Sequence, residues 1–86
     1  MHSTAPLTLD RLGLGRPARI IAVDWAALVP AEARRLREFG LNVGVEVEAL
    51  HRGSLFSRDP LAVRVGRMRV MLRAAHAAAF MLEPPA

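Results

Sequence analysis

Hydrophobic and polar residues alternate in two neighbouring segments of the chain, residues 61–65 and 68–73. Gly66 and Arg67 separate these segments, and a Gly-X pair suits a two-residue type II′ turn between antiparallel strands. Such a turn would place three pairs of apolar residues opposite each other on one face: Val65 and Met68, Val63 and Val70, and Leu61 and Leu72. Because turn and pattern agree, the sequence predicts a β-hairpin with one buried face.

The outer face of this hairpin carries two arginines that would face each other. Arg64 lies opposite Arg69 in the predicted register, and like charges directly opposite destabilise a pair of strands. Residues 45–49 alternate apolar and acidic side chains, which predicts a half-buried antiparallel strand. Glu46 and Glu48 on the outer face of that strand could offset the arginine pair.

Proline and glycine delimit a helix that precedes this acidic strand. Pro30 suits the first helical turn, where no intrahelical bond needs its missing N–H, and the predicted helix runs from there to Phe39. Gly40 can adopt the left-handed conformation that ends a helix. Leu41 would then fold back onto Leu36, which is the apolar contact that this type of cap brings.

The remaining elements are short. Residues 7–14 form an extended entry before a turn, residues 18–24 a buried strand, residues 74–79 a helical turn, and residues 80–82 a last strand that could close the sheet. The sum is about five strands with one inserted α-helix and a short helical turn, a mainly β chain. Small all-β chains remove exposed edges by closing into a barrel, and an SH3-like barrel fits best.

Length and composition favour one domain. The chain has 86 residues, 52% of them hydrophobic, and we expect a domain over residues 7–82 between a flexible N-terminal tail, 1–6, and a C-terminal tail, 83–86. No apolar run approaches the roughly 20 residues of a membrane-spanning helix, and the N-terminus does not resemble a secretory signal. The expected location is therefore the cytoplasm.

Charge and cysteine content narrow the chemistry. Cysteine is absent, which removes disulfides, thiolate catalysis and cysteine-ligated metal. The net charge is +4, all 12 strongly basic residues are arginine, and eight carboxylates are spread among them. A nucleic-acid binder more often clusters its basic residues, so a mixed solvated surface is favoured over a phosphate-binding face.

Neither catalysis nor metal binding has a candidate constellation. The serines lack a paired base, and the segment from Gly13 to Gly15 is too short to cradle a phosphate. The three histidines, His2, His51 and His76, share no metal-ligand spacing and have no accompanying carboxylate cluster. The sequence therefore predicts no catalytic residue, no cofactor site and no metal ligand.

Candidate partner-binding residues lie in one loop and on the hairpin. Leu55 and Phe56 stand between serines and are either an exposed anchor for a partner or a cover over an open end of the barrel. Trp25 likewise has two interpretations, a cap on the core under the helix or a binding residue. The arginines of the hairpin could meet an acidic patch or be merely solvated. The predicted partner-binding residues are Leu55, Phe56, Arg58, Arg64 and Arg69.

A family resemblance rests on residues spread over most of the chain. An Arg-Leu-x-x-(Leu/Phe)-Gly-Leu-x-x-Gly core is followed by a strand, an Asp-Pro turn and a strand ending in Leu-Arg before an alanine-rich turn. The matching residues are Arg35, Leu36, Phe39, Gly40, Leu41, Gly44, Asp59, Pro60, Leu72, Arg73 and 77–79, with Leu9, Leu12 and Gly15 upstream. In this order they resemble the FeoA family, the small cytoplasmic component of bacterial ferrous iron transport.

The resemblance implies a non-enzymatic SH3-like barrel that binds protein. Its expected partner is FeoB, the membrane iron transporter with a cytoplasmic GTP-binding domain, through which the chain would be peripheral at the inner membrane. No nucleic acid and no cofactor are expected, the chain is not membrane-embedded, and self-association stays open. Arg58 departs from the glycine that the family usually has there. The alternative is a stand-alone nucleic-acid-binding or metal-regulator accessory domain of the same fold.

Overall fold

The computed structural model describes residues 7–53 and 59–84, which form one six-stranded antiparallel sheet and two helices. The strands are β1 (Leu7–Thr8), β2 (Pro17–Val23), β3 (Glu46–Arg52), β4 (Leu61–Val65), β5 (Met68–Leu72) and β6 (Phe80–Leu82). The helices are α1 (Pro30–Glu38) and α2 (Ala74–Ala77), and short 3-10 turns occupy Leu9–Arg11 and Trp25–Ala27. The strand order across the sheet is β1-β6-β2-β3-β4-β5.

The predicted hairpin is confirmed residue by residue. Strands β4 and β5 pair with Val65 opposite Met68, and the same register continues to Leu61 opposite Leu72. Gly66 has a φ of +60°, and positive φ at this position alone is the mark of a type II′ turn. Met68 was expected to be buried, yet its side chain is 44% exposed. The reason is its place beside the turn at the end of an outer strand, which has only β4 as a neighbour among the described residues.

The row of charges across the sheet is also as predicted. Arg64 lies opposite Arg69 on β5 and opposite Glu48 on β3. The Nη1 atom of Arg64 donates to Oε1 of Glu48 at 3.2 Å, so one arginine of the like-charged pair has a carboxylate partner. Glu46, the other residue expected to help, is exposed and lies opposite Arg19 of the neighbouring strand β2 instead.

Strand β2 differs from the buried strand expected for residues 18–24. Ala18 and Ile20 are buried, whereas Ile21 is 50% exposed, so only one face packs onto the core. The strand pairs with β3 through its first residues and with β6 through its last, and the register shifts between Ile20 and Ala22. A one-sided strand follows from this position in an antiparallel sheet that is solvated on its outer face.

The sheet has one strand more than expected and is not closed. Leu7 and Thr8 pair with β6, which makes the entry segment a strand in its own right. Strands β1 and β5 are the two outer strands, and no ladder among residues 7–53 and 59–84 joins them. The expectation of a closed cylinder is therefore wrong. Strand β1 contains only two residues before the chain enters a 3-10 turn, which is too short to bridge the gap.

Helix α1 begins at Pro30 and ends with the cap that the sequence predicted. Gly40 has a φ of +96°, its N–H donates to Arg37 O at 2.9 Å, and the N–H of Leu41 donates to Leu36 O at 3.0 Å. These two bonds define a Schellman motif. Leu36 and Leu41 are both fully buried in the core cluster, so the apolar contact that accompanies the cap is part of the core.

Gly40→Ala should destabilise the chain by about 1–2 kcal/mol, because an L-residue is strained at this positive φ. Space is not the cause, since an added Cβ would lie 3.6 Å from Val65 Cγ1. Gly13→Ala is the matched control, because Gly13 is exposed without a positive φ. Its unfolding free energy in urea should stay within about 0.5 kcal/mol of the original chain. Equal losses in both variants would contradict this account of the cap.

Candidate functional site

A cleft of about 460 Å³ opens where the end of β5 meets both helices and the start of β4. One wall is charged and comes from the helices, with Glu32 and Arg35 on α1 and His76 on α2. The other residues that line the cleft are Asp59, Pro60, Met71, Leu72 and Arg73. The end of β5 and the two helices therefore border a cleft with a mixed polar and apolar lining.

Glu32 is held by the guanidinium of Arg35 and the imidazole of His76. Arg35, one helical turn further on, donates two hydrogen bonds to it, from Nε to Oε1 at 2.9 Å and from Nη2 to Oε2 at 2.6 Å. His76 Nδ1 lies 3.2 Å from Oε2 of the same carboxylate. The hydrogen bonds from Arg35 are the main reason that the pKa of Glu32 is lowered from its ordinary value of 4.5. The same bonds raise the pKa of Arg35.

This charged cluster joins two elements that are distant in the chain. Glu32 is only 17% exposed in its side chain, so its forked pair with Arg35 is better shielded from water than an ordinary surface pair. His76 adds a contact from α2 to the same carboxylate. The described residues contain no group of three metal-ligating side chains. Within the described part of the chain, this cluster holds α1 against α2.

Asp59 performs a similar joining role at the other wall of the cleft. Its Oδ1 atom accepts a hydrogen bond from the N–H of Ala74, the first residue of α2. The residue precedes Pro60 in the Asp-Pro turn of the family pattern, and the peptide bond between them is cis. The first N–H groups of a helix have no partner within the helix, and a carboxylate that accepts from one of them is stabilising there.

The arginines of the hairpin fall into two groups. Arg64 forms the ion pair with Glu48 on the sheet face. Three further arginines of the hairpin and its end are exposed, and none forms an ion pair with any residue in 7–53 or 59–84: Arg67, Arg69 and Arg73. We call these three residues the arginine edge, because they lie along or beside the outer strand β5. The structure brings Arg64 and Arg69 together, as the sequence predicted.

Three other predicted binding residues, Leu55, Phe56 and Arg58, lie outside the described residues, as does His2. His51 lies within β3, which extends to Arg52 and thus beyond the predicted end of that strand. Its side chain is exposed.

Trp25 packs against the core, one of the two roles considered for it. Its ring is half-buried and meets Phe80 edge-to-face, with ring centroids 5.8 Å apart and an interplanar angle of 84°. The guanidinium of Arg37 lies 4.6 Å from the centre of the same ring, a cation–π contact from helix α1. The tryptophan thus connects the helix to the core.

Sequence reasoning missed the cluster around Glu32. Opposite charges three positions apart on a helix were a readable signal for the Glu32–Arg35 pair. The part played by His76 had no such signal, because it depends on how α2 packs beside α1.

The fold and cleft define a small SH3-like β domain. A solved structure of similar fold is that of FeoA from Stenotrophomonas maltophilia in complex with zinc, described as a procaryotic SH3 domain protein. It is 35% identical, with a TM-score of 0.75, and the match covers 90% of this chain and 89% of that one. The FeoA domain model matches residues 7–84. The chain belongs to the FeoA family.

Two further solved structures support the assignment. The FeoA protein of Chlorobium tepidum is 29% identical, with a TM-score of 0.79 over 93% of this chain and 71% of that one. Iron(II) transport protein A of Clostridium thermocellum is 27% identical, with a TM-score of 0.76 over 90% of this chain. The match covers only 44% of that second chain. No curated protein matches the chain in sequence.

None of the helices in the described part of the chain has the length and hydrophobicity that a membrane-crossing helix requires.

Glu32→Gln should lower the unfolding free energy by about 0.5–1 kcal/mol at neutral pH, a range suited to a partly exposed pair. The folded chain keeps Glu32 ionised at pH values where the unfolded chain binds a proton, because the folded pKa lies below 4.5. This contribution is therefore complete above the unfolded pKa and is lost as the pH falls through the folded one.

Urea unfolding of both chains between pH 3 and pH 7 checks this expectation: the difference should shrink towards the acid end. Glu46→Gln is the control, because Glu46 is exposed and forms no ion pair with the described residues. A Glu32→Gln difference that does not change with pH would contradict the role of the ionised carboxylate.

Proposed function

We propose that the chain is a non-enzymatic protein-interaction module, with residues 7–82 as its binding domain, that supports or regulates a FeoB-type ferrous iron transporter. It acts at the cytoplasmic side of the membrane, on the side of the transporter's GTP-binding domain. The observation that carries this proposal is the FeoA domain match over residues 7–84. The Stenotrophomonas maltophilia relative supports it, since that protein is described as a candidate bacterial ferrous iron transport activating factor.

The surface of the domain has features that suit a binding role. Six large apolar side chains among the described residues are between 44% and 65% exposed, including Met68 and Met71 on β5. The arginine edge lies along or beside the same strand, so apolar contact area and unpaired positive charge occur together. Aromatic and apolar anchors surrounded by charge are typical of protein interfaces, in which charge mainly sets specificity and association rate.

The residues proposed to contact the transporter are those that the sequence singled out. Leu55 and Phe56 provide the apolar anchor, and Arg58, Arg64 and Arg69 provide the charge. Two of these arginines, Arg64 and Arg69, lie in the described part of the chain. Arg64 already pairs with Glu48, whereas Arg69 is exposed and has no ion pair among residues 7–53 and 59–84. We therefore expect a larger effect on binding from a change at Arg69 than from one at Arg64.

The test is a binding titration with the detergent-solubilised transporter and with its soluble GTP-binding domain, each in the nucleotide-free, GDP-bound and GTP-analogue states. The original chain should bind saturably to at least one of these. Phe56→Ala or Leu55→Asp should weaken binding about tenfold or more, because truncated or charged anchors lose the buried contact. Isothermal titration calorimetry gives the dissociation constants.

Leu14→Ala is the matched control, since Leu14 is an apolar side chain, 51% exposed, in the turn before β2. It should leave binding unchanged. Absence of binding by the original chain in every nucleotide state would contradict the proposal. Retained metal in equilibrium dialysis, or RNA affinity that falls steeply with salt, would then favour the accessory-domain alternative.

A further inference from the structure

Strand β5 lies at one end of the sheet. Among the described residues, β4 is the only strand that pairs with β5, and β5 ends the strand order of the sheet. An outer strand of this kind has backbone N–H and C=O groups that can pair with another chain. Met68, Arg69 and Met71 are all exposed along it. The edge leads into the cleft, because Met71 and Leu72 line that cleft.

The hairpin register settles which backbone groups face outwards. In the type II′ turn, the N–H of Met68 donates to the carbonyl of Val65, so Met68 directs its backbone towards β4. Hydrogen-bonded and non-hydrogen-bonded pairs alternate along an antiparallel ladder. Val70 therefore also faces β4 through its backbone. Arg69 and Met71 direct their N–H and C=O groups to the open side.

The charges beside this edge indicate what would pair with it. Across the sheet, Glu48, Arg64 and Arg69 stand in one row, negative, positive and positive. The first two form an ion pair, which leaves Arg69 at the open end of the row. A carboxylate on an added strand, opposite Arg69, would complete the row. Cross-strand pairs of opposite charge are stabilising, whereas like-charged pairs are not.

The same reasoning extends along the edge. Positions 67, 69, 71 and 73 alternate on one face of the strand and its continuations, and they carry arginine, arginine, methionine and arginine. An added strand that runs antiparallel to β5, as every neighbouring pair in this sheet does, carries acidic, apolar, acidic and acidic residues at alternate positions from its N-terminus. This pattern is specific enough to be tested with a synthetic peptide.

We propose that the β5 edge binds an extended acidic segment of a partner polypeptide by strand addition, with backbone bonds at Arg69 and Met71 and ion pairs to the arginine edge. A second copy of the same edge is a poor occupant, because it would bring the three arginines of each copy together. Strand addition supplies affinity through main-chain bonds and specificity through alternate side chains. The inference rests on the proposed function only in that the chain binds another polypeptide.

The probe is a capped peptide in which threonines separate Glu, Val, Glu and Glu in that order, and its charge-reversed control has Lys in place of each Glu. The acidic peptide should bind saturably at low salt, and the Lys peptide should not. In hydrogen-exchange NMR, the amide protons of Arg69 and Met71 should become protected when the acidic peptide binds. Binding that leaves both amides unprotected would overturn the proposal.

Met71→Pro removes one outward N–H without touching the bonds to β4, a position at which an outer strand tolerates proline. It should weaken peptide binding about tenfold or more, whereas Met71→Val, which keeps the N–H, should stay within about threefold. Equal loss in both variants would show that the side chain alone acts, and would overturn strand addition.

Arg69→Glu tests the charge and keeps the proposal falsifiable if Met71→Pro does not fold. It should weaken binding of the acidic peptide about tenfold or more, and a peptide in which only the Glu opposite position 69 is replaced by Lys should recover the binding. Arg16→Glu makes the same charge change in the exposed turn before β2, where the N–H of Gly15 donates to Ala49 O of β3. This variant should bind the acidic peptide as the original chain does. A concentration-dependent dimer in sedimentation that Met71→Pro abolishes would assign the edge to a second copy and overturn the proposal.

The outcomes also separate this inference from the proposed function. Transporter binding that survives both Met71→Pro and Arg69→Glu would leave the proposed function standing and remove the β5 edge from it. Peptide binding without transporter binding would support the edge and contradict the transporter as partner. Stronger binding of single-stranded RNA than of the acidic peptide would overturn the edge as a polypeptide site.

Discussion

The positive φ angles at Gly40 and Gly44 are the constraint on which the rest of the sheet depends. Helix α1 is inserted between β2 and β3, yet these two strands are direct neighbours. The chain must therefore leave the sheet, form a helix and return in register. Gly40 ends the helix at a φ of +96°, and Gly44, at +92°, donates its N–H to Ile20 O at 2.8 Å. A return displaced by one residue would turn the buried Val47 and Ala49 of β3 towards water.

The hairpin and the capped helix could be predicted from the sequence because their determinants are local. A Gly-X turn and strict alternation specify the register of β4 and β5 within a dozen residues, and proline and glycine mark both ends of α1. The mainly β, SH3-like character follows from the sum of these elements. The sequence wrongly placed Met68 and Ile21 in the interior. Alternation and β-branching indicate that a segment forms a strand, but they do not show which other elements pack against its faces.

Closure and the charged cluster were beyond local reasoning for a physical reason. Whether β1 meets β5 depends on the lengths and tilts of strands at opposite ends of the chain, and β1 proved to be only two residues long. The contact of His76 with Glu32 likewise depends on the docking of α2 beside α1. Both features belong to tertiary structure.

The pairing of β1 with β6 has a consequence for how the unit can be joined to other chains. Leu7 lies opposite Leu82, so the first and last strands are adjacent and separated by about 4.8 Å, the ordinary spacing of neighbouring strands. A short linker would connect these ends without disturbing a ladder. The domain is therefore suited to circular permutation, and it can be spliced into a surface loop of a larger polypeptide as an intact cassette.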